Sequence, residues 1–302
     1  MPNDRENAGL LQKLLEHADQ KRTDSQSPVF GVVTLQDLPY FAENGTVRLL
    51  DLYLPEKAVG KLPILIDLHG GAWVYGSKEN NKNYGMYLAS QGFAVVNIDY
   101  MPLQYNDLRD QVSDILCAYR WVLRNADGYG LDKDAIFLCG NSAGAHLALL
   151  SYIVNLSDTL RTIYNVEHVP FTAKALGLVT PVTDLHFFTN NILPSARQFT
   201  SRFFGDHPRM SPLFFCASIS DVLRSSMTLP PVYLVGSEDD FFNGQSMKLD
   251  HLLTRRNVEH MFRYCEKGKA HKLGHSFPVL YPEYTESVAV NREMLEYFRN
   301  QL

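Results

Sequence analysis

The sequence predicts an α/β protein built on a mostly parallel sheet, and three observations lead there. Short, nearly unbroken apolar runs recur along the chain, stretches of helical periodicity separate them, and the composition is that of an ordinary globular domain. Of 302 residues, 45% are hydrophobic and 20% charged, which leaves enough apolar surface for a large core. A strand covered by helices on both faces reads as a continuous apolar run, because neither face meets water.

Taken in order, Leu10, Leu11, Leu14 and Leu15 sit at helical spacing and predict an amphipathic arm within residues 1–25. From 29 to 54, VFGVVTL and VRLLDLYLP alternate like strands on either side of Glu43-Asn44-Gly45, so they predict an antiparallel hairpin. PILIDLH (63–69), AVVNIDY (94–100), AIFLCG (135–140), ALGLVTP (175–181), PVYLVG (231–236) and MFRYCE (261–266) bring the expected sheet to about eight strands. A crossover helix over about 107–125 carries Leu108, Val112, Ile115, Leu116, Tyr119 and Val122 on one side and stops before Gly128 and Gly130. Between 182 and 230 the pattern weakens, and Phe187-Phe188, Phe203-Phe204 and Phe214-Phe215 stand among prolines. This stretch is the candidate cap, a small helical insertion in a single domain spanning 1–302.

A net charge of −5 without a basic run argues against a nucleic-acid partner. Charges throughout the first 22 residues leave no room for a secretory signal, so the chain as given reads as cytoplasmic. No apolar stretch reaches the length of about 18 residues that a membrane span requires. Cys117, Cys139, Cys216 and Cys265 are scattered without metal-ligand spacing and read as reduced core thiols. No metal or organic cofactor is expected, and the oligomeric state is open, with a homodimer among the options.

Chemistry enters at Gly140-Asn141-Ser142-Ala143-Gly144. This G-x-S-x-G lies between a strand-like AIFLC and a helix-like AHLALLSYIV, the strand-turn-helix setting of a nucleophilic serine. Such a turn holds the serine in a strained backbone conformation with no space for large neighbours, which is what the two glycines answer. Upstream, His69-Gly70-Gly71-Ala72-Trp73 follows directly on a strand. Adjacent glycines let backbone N–H groups converge on one oxygen. The N–H groups of Gly70, Gly71 and Ala143 are therefore the expected oxyanion hole, each donor contributing on the order of 3 kcal/mol to the transition state.

HGGAW followed by GNSAG resembles the carboxylesterase and lipase group of the α/β-hydrolase superfamily, in particular its hormone-sensitive-lipase-like and acetyl-esterase branches. The similarity runs from about residue 45 to the C-terminus and includes NIDY and GHSF. Met101 and Asn141 depart from it: relatives commonly have arginine at the first position and an acidic residue at the second. The resemblance implies a structural role for His69 and a triad in the chain order Ser, acid, His. Glu238, Asp239 and Asp240 follow PVYLV. The family pattern selects Asp240 with Asp239 as the alternative, and likewise selects His275 over His271. A serine hydroxyl needs such an imidazole to take its proton and a carboxylate to orient the ring. His146 reads as a packing residue or the partner of a local hydrogen bond.

Trp73 and Phe241 are the expected substrate-binding side chains, with Tyr75, Phe242 and the phenylalanines of the insertion as further candidates for an apolar pocket. The resemblance implies short-chain acyl esters, acetyl esters among them. A peptidase or lactonase on the same machinery is the nearest rival. A noncatalytic ligand-binding protein of the same fold is the more distant one.

Overall fold

The structure is a computed structural model that describes residues 17, 19, 21–23, 26–43, 45–103, 107–189, 200–205 and 207–302. Leu10, Leu11, Leu14 and Leu15 of the expected arm, and residues 190–199 and 206 of the expected insertion, lie outside them.

Eight strands form one sheet: β1 (Val32–Glu43), β2 (Thr46–Pro55), β3 (Leu62–Leu68), β4 (Ala94–Ile98), β5 (Leu131–Asn141), β6 (Ala173–Val179), β7 (Val232–Ser237) and β8 (His260–Cys265). They are ordered β1-β2-β4-β3-β5-β6-β7-β8. β1, β2 and β4 pair antiparallel, and every other neighbour is parallel. The hairpin closes with Glu43 opposite Thr46, where the turn residues predicted it. β1 extends beyond the predicted run because it bends: its register shifts between Leu35 and Leu38, and Asp37 turns to φ 55 while donating its N–H to Asp51 Oδ1 at 2.9 Å.

β4 is buried at every residue and β3 at all but Pro63, which is why both read as unbroken apolar runs. On one face lie α2 (Leu108–Asn125), α3 (Ala143–Leu156) and α5 (Asn243–Arg255), and on the other α1 (Lys82–Ser90) and α6 (Thr285–Arg299); α4 (Asp158–Tyr164) follows α3. α2 begins where a capping box supports it: Asp107 accepts from Arg109 N–H, and Asp110 reaches back to Asp107 N–H. α3 is buried all round from Ala143 to Asn155, so it is a core element rather than an amphipathic one.

The chain crosses the sheet so that β3 lies between β4 and β5. The connections leaving β3 therefore diverge from those leaving β5, and a crevice opens at the carboxyl ends of these two strands. HGGAW leaves one lip of that crevice and GNSAG the other.

Between β6 and β7 the described chain forms short helical turns at His186–Thr189, 200–204, Pro208–Met210, Pro212–Phe215 and Ile219–Val222. Phe188, Phe203 and Phe204 enter the large core, whereas Phe187 and Phe215 face solvent.

Candidate active site

Ser142 stands between β5 and α3 at φ 55 and ψ −117, a conformation that costs a non-glycine residue of order 1–3 kcal/mol. The surroundings impose it. Ser142 N–H donates to Val179 O at 2.9 Å, and its carbonyl accepts from His146 N–H at 3.2 Å. A Cβ on Gly140 would come within 2.6 Å of the Gly144 carbonyl carbon, and one on Gly144 within 2.0 Å of Leu68 O. Both glycines are thus required for β5, α3 and the end of β3 to meet so closely.

The loop after β3 is as tightly determined. Gly71, at φ 124, would place a Cβ 2.0 Å from Tyr75 O, and its carbonyl accepts from the N–H groups of Val74 and Tyr75. Ala72 and Trp73 both take positive φ, at 50 and 62. His69 is fully buried, stacked on Tyr100 with ring centroids 4.2 Å apart, and bonded through Nδ1 to Gly70 O at 2.6 Å. Burial drives its pKa down to about 4, so the ring is neutral and supports the loop.

This loop corrects one expectation for the oxyanion hole. The N–H of Gly70 is engaged by Asn141 Oδ1 at 3.0 Å and is not free to meet an oxyanion. The N–H groups of Gly71 and Ala143 donate to no other described residue, and neither does that of Ala72. A motif shows which glycines permit a close approach. Which N–H already has an acceptor depends on the side chain at 141, across the crevice.

His275 Nδ1 lies 2.9 Å from Asp240 Oδ1, and the same oxygen accepts from Phe242 N–H at 2.8 Å. His275 Nε2 is buried with no hydrogen-bond partner among the described residues. Asp239, the alternative acid, has other partners. Its Oδ2 accepts from Gly268 N–H and Leu273 N–H, each at 3.0 Å, and these two bonds hold its pKa below the ordinary carboxylate range. Ser237 Oγ donates to Leu273 O at 2.6 Å and accepts from Asp239 N–H at 3.2 Å. The loop that carries His275 is in this way fastened to the end of β7, a role that leaves no mark in the local sequence pattern.

One cavity of about 790 Å³ gathers these parts: Gly71, Ala72, Ser142, Phe241, Phe242 and His275 all line it. Phe241 is 76% exposed with its ring 5.0 Å from that of His275, so it sits at the rim. Trp73, in contrast, is 2% exposed and does not reach the cavity. Its indole packs edge-on against Phe188 and Phe203 and donates Nε1–H to His146 Nδ1 at 3.1 Å. The sequence reading of Trp73 as substrate-binding is therefore corrected: at positive φ its side chain turns inward under the insertion. His146 completes that contact through Nε2 and Ala217 O at 2.8 Å, and burial lowers its pKa to about 4. His271 is exposed and stacked on Tyr284 with centroids 3.9 Å apart.

The N-terminal segment reaches the same cavity. Asp19 lines it and accepts from Asn80 Nδ2 at 3.0 Å, while Arg22 donates to Asn80 O at 3.3 Å and Leu280 O at 3.4 Å.

A model of the BD-FAE family matches residues 50–253. Esterase B from Lactobacillus rhamnosis, solved with a C4-C4 SN3 tributyrin phosphonate inhibitor, is 29% identical with a TM-score of 0.90, covering 99% of this chain and 95% of its own. An isoprenylcysteine alpha-carbonyl methylesterase of Arabidopsis thaliana is 34% identical over 112 residues, 37% of this chain and 26% of that protein. A probable carboxylic ester hydrolase of Mycobacterium tuberculosis is 26% identical over 203 residues, 66% of this chain and 47% of its own length. The chain spans about a quarter of the first of these two curated relatives and about half of the second.

Proposed function

The chain belongs to the BD-FAE family and has the α/β-hydrolase fold, and from that premise and the site's geometry we propose that it is a serine carboxylic ester hydrolase acting on short-chain acyl esters. One observation carries the reading. His275 is held by Asp240 through Nδ1 at 2.9 Å, while its unpartnered Nε2 belongs to the cavity that Ser142 lines. An imidazole oriented on one side and open on the other is what proton transfer from a serine hydroxyl requires.

In the proposed reaction Ser142 Oγ attacks the ester carbonyl as His275 Nε2 takes its proton, and Asp240 stabilises the imidazolium that forms. The negative charge on the tetrahedral oxygen is met by the N–H groups of Gly71 and Ala143, the latter at the positive end of α3. His275 returns the proton to the departing alcohol, and water repeats the sequence on the acyl-enzyme. Segment 182–230 acts as a small cap: Phe187 and Phe188 pack on Phe242 with ring centroids 5.9 and 6.2 Å apart, and Phe242 lines the cavity. The short-acyl preference is supported by the phosphonate of tributyrin that inhibits esterase B.

Hydrolysis of p-nitrophenyl acetate, butyrate, octanoate and palmitate by the wild type, Ser142→Ala and His275→Ala tests this reading. Turnover of the short esters, abolished in both variants, is expected. A folded wild type inert toward all four esters overturns it.

A further inference from the structure

Asn141 precedes the nucleophile and takes no part in the chemistry above, yet its buried amide touches both halves of the site. Its Oδ1 accepts from Gly70 N–H at 3.0 Å and from Asn81 Nδ2 at 3.1 Å, and its Nδ2 donates to Ser276 Oγ at 3.0 Å. Gly70 belongs to the oxyanion loop, and Ser276 is the residue after His275. The two ends of the bridge are themselves anchored. Asn81 Nδ2 also donates to the fully buried Asp67 Oδ2 at 2.8 Å, and Ser276 N–H donates to Thr180 Oγ1 at 3.0 Å, with the two hydroxyl oxygens 3.3 Å apart. Thr180 and Ser276 both have positive φ, at 42 and 59, so these hydrogen bonds fix a backbone that side-chain-bearing residues otherwise avoid.

We propose that Asn141 is a positioning residue whose planar amide holds the oxyanion loop and the His275 loop in register. The proposal rests on the esterase reading. An apolar residue at 141 would leave Gly70 N–H, Asn81 Nδ2 and Ser276 Oγ short of a partner in a buried region, and both loops would move to recover one. Aspartate, by contrast, preserves the bridge: one oxygen still accepts from Gly70 and Asn81, and the Ser276 hydroxyl reverses its proton to donate to the other. Glycine at position 70 is required by the same contact, since a Cβ there would lie 2.8 Å from Asn141 Nδ2.

The test is kcat and KM for p-nitrophenyl butyrate in wild type, Asn141→Ala, Asn141→Asp and Ser276→Ala, with the His275 Nδ1–H proton followed by NMR. Displacement of a catalytic group by about 1 Å costs on the order of 100-fold, so Asn141→Ala is expected to lose about that factor in kcat with KM nearly constant. Asn141→Asp should recover most of the loss, Ser276→Ala should fall between, and the imidazole resonance should broaden or shift in the two alanine variants alone. A folded Asn141→Ala with wild-type kcat, a loss confined to KM, or an Asn141→Asp as impaired as the alanine variant overturns the proposal. Should Asn141→Ala fail to fold, an unchanged kcat in Ser276→Ala overturns it equally. A wild type inert toward every ester defeats the esterase reading itself, an outcome separate from an active wild type that tolerates Asn141→Ala.

Discussion

Gly144→Ala adds one methyl group where α3 passes the end of β3. The new Cβ would lie 2.0 Å from Leu68 O and 2.4 Å from His69 O, against the 3.4 Å at which ordinary contact begins. Roughly 1.4 Å of separation must therefore be found, and neither side yields easily. α3 is buried along almost its whole length, and His69 O is fixed by Tyr100 Oη–H at 2.6 Å. Overpacking of this kind costs typically 1–3 kcal/mol and more where backbone must move, so a loss of at least about 3 kcal/mol in urea unfolding is expected. The displaced atoms are the stem of the loop that carries Gly71, so under the proposed mechanism kcat should also fall by about 100-fold or more. Gly244→Ala is the control. Gly244 lies exposed in the first turn of α5 with nothing within 4 Å of an added Cβ, and alanine there should stabilise by about 0.5–1 kcal/mol. A Gly144→Ala protein as stable and active as the wild type would mean that the strand and helix do not meet as described.

Two further outcomes follow from the buried polar groups. Trp73→Phe removes the donor to His146 Nδ1 and should destabilise by about 1–3 kcal/mol while leaving KM for small esters nearly unchanged; a large rise in KM with unaltered stability would return Trp73 to the substrate pocket. Burial raises Asp67 from 3.8 to about 6. The folded state thus holds a proton that the unfolded chain has released, so this group's contribution is complete below pH 3.8 and lost as pH rises through 6. At 1.36 kcal/mol per unit the loss is on the order of 3 kcal/mol. His146, lowered from 6.5 to about 4, works in the opposite sense: its contribution is complete above 6.5 and lost as pH falls through 4. Asp67→Asn abolishes the first effect and leaves the second. Its stability should therefore climb relative to wild type between pH 4 and 7 in urea titrations, and parallel profiles would contradict the assignment.

The strands were legible because burial on both faces leaves a direct mark in composition: β3, β4, β6 and β7 fall on their predicted runs. β1 was underestimated, since Gln36, Asp37 and Pro39 interrupt the apolar run where the strand bulges, and a bulge is set by its partner strand. At the site, motif context brought Ser142, Gly71, Ala143, Asp240, Phe241 and His275 to one cavity or its immediate support. The misplacements of Gly70 and Trp73 have a common cause. Each expectation rests on a place within HGGAW, whereas what the group meets depends on a partner about 70 residues away, Asn141 for Gly70 and His146 for Trp73. Local sequence reports periodicity and steric demand; it does not report which polar groups are already satisfied across a fold.

The bonds from Ser237 and Asp239 to Gly268 and Leu273 bear on engineering. Because the strand end that carries Asp240 and the loop that carries His275 are riveted by the Ser237 and Asp239 side chains to the backbone of Gly268 and Leu273, residues 237–242 and 265–276 form one transplantable cassette. A chimera that imports a relative's histidine loop without its matching strand terminus would leave the rivets without holes. One that moves both segments together should keep the carboxylate and the imidazole aligned on a foreign sheet, whatever cap is then built above them.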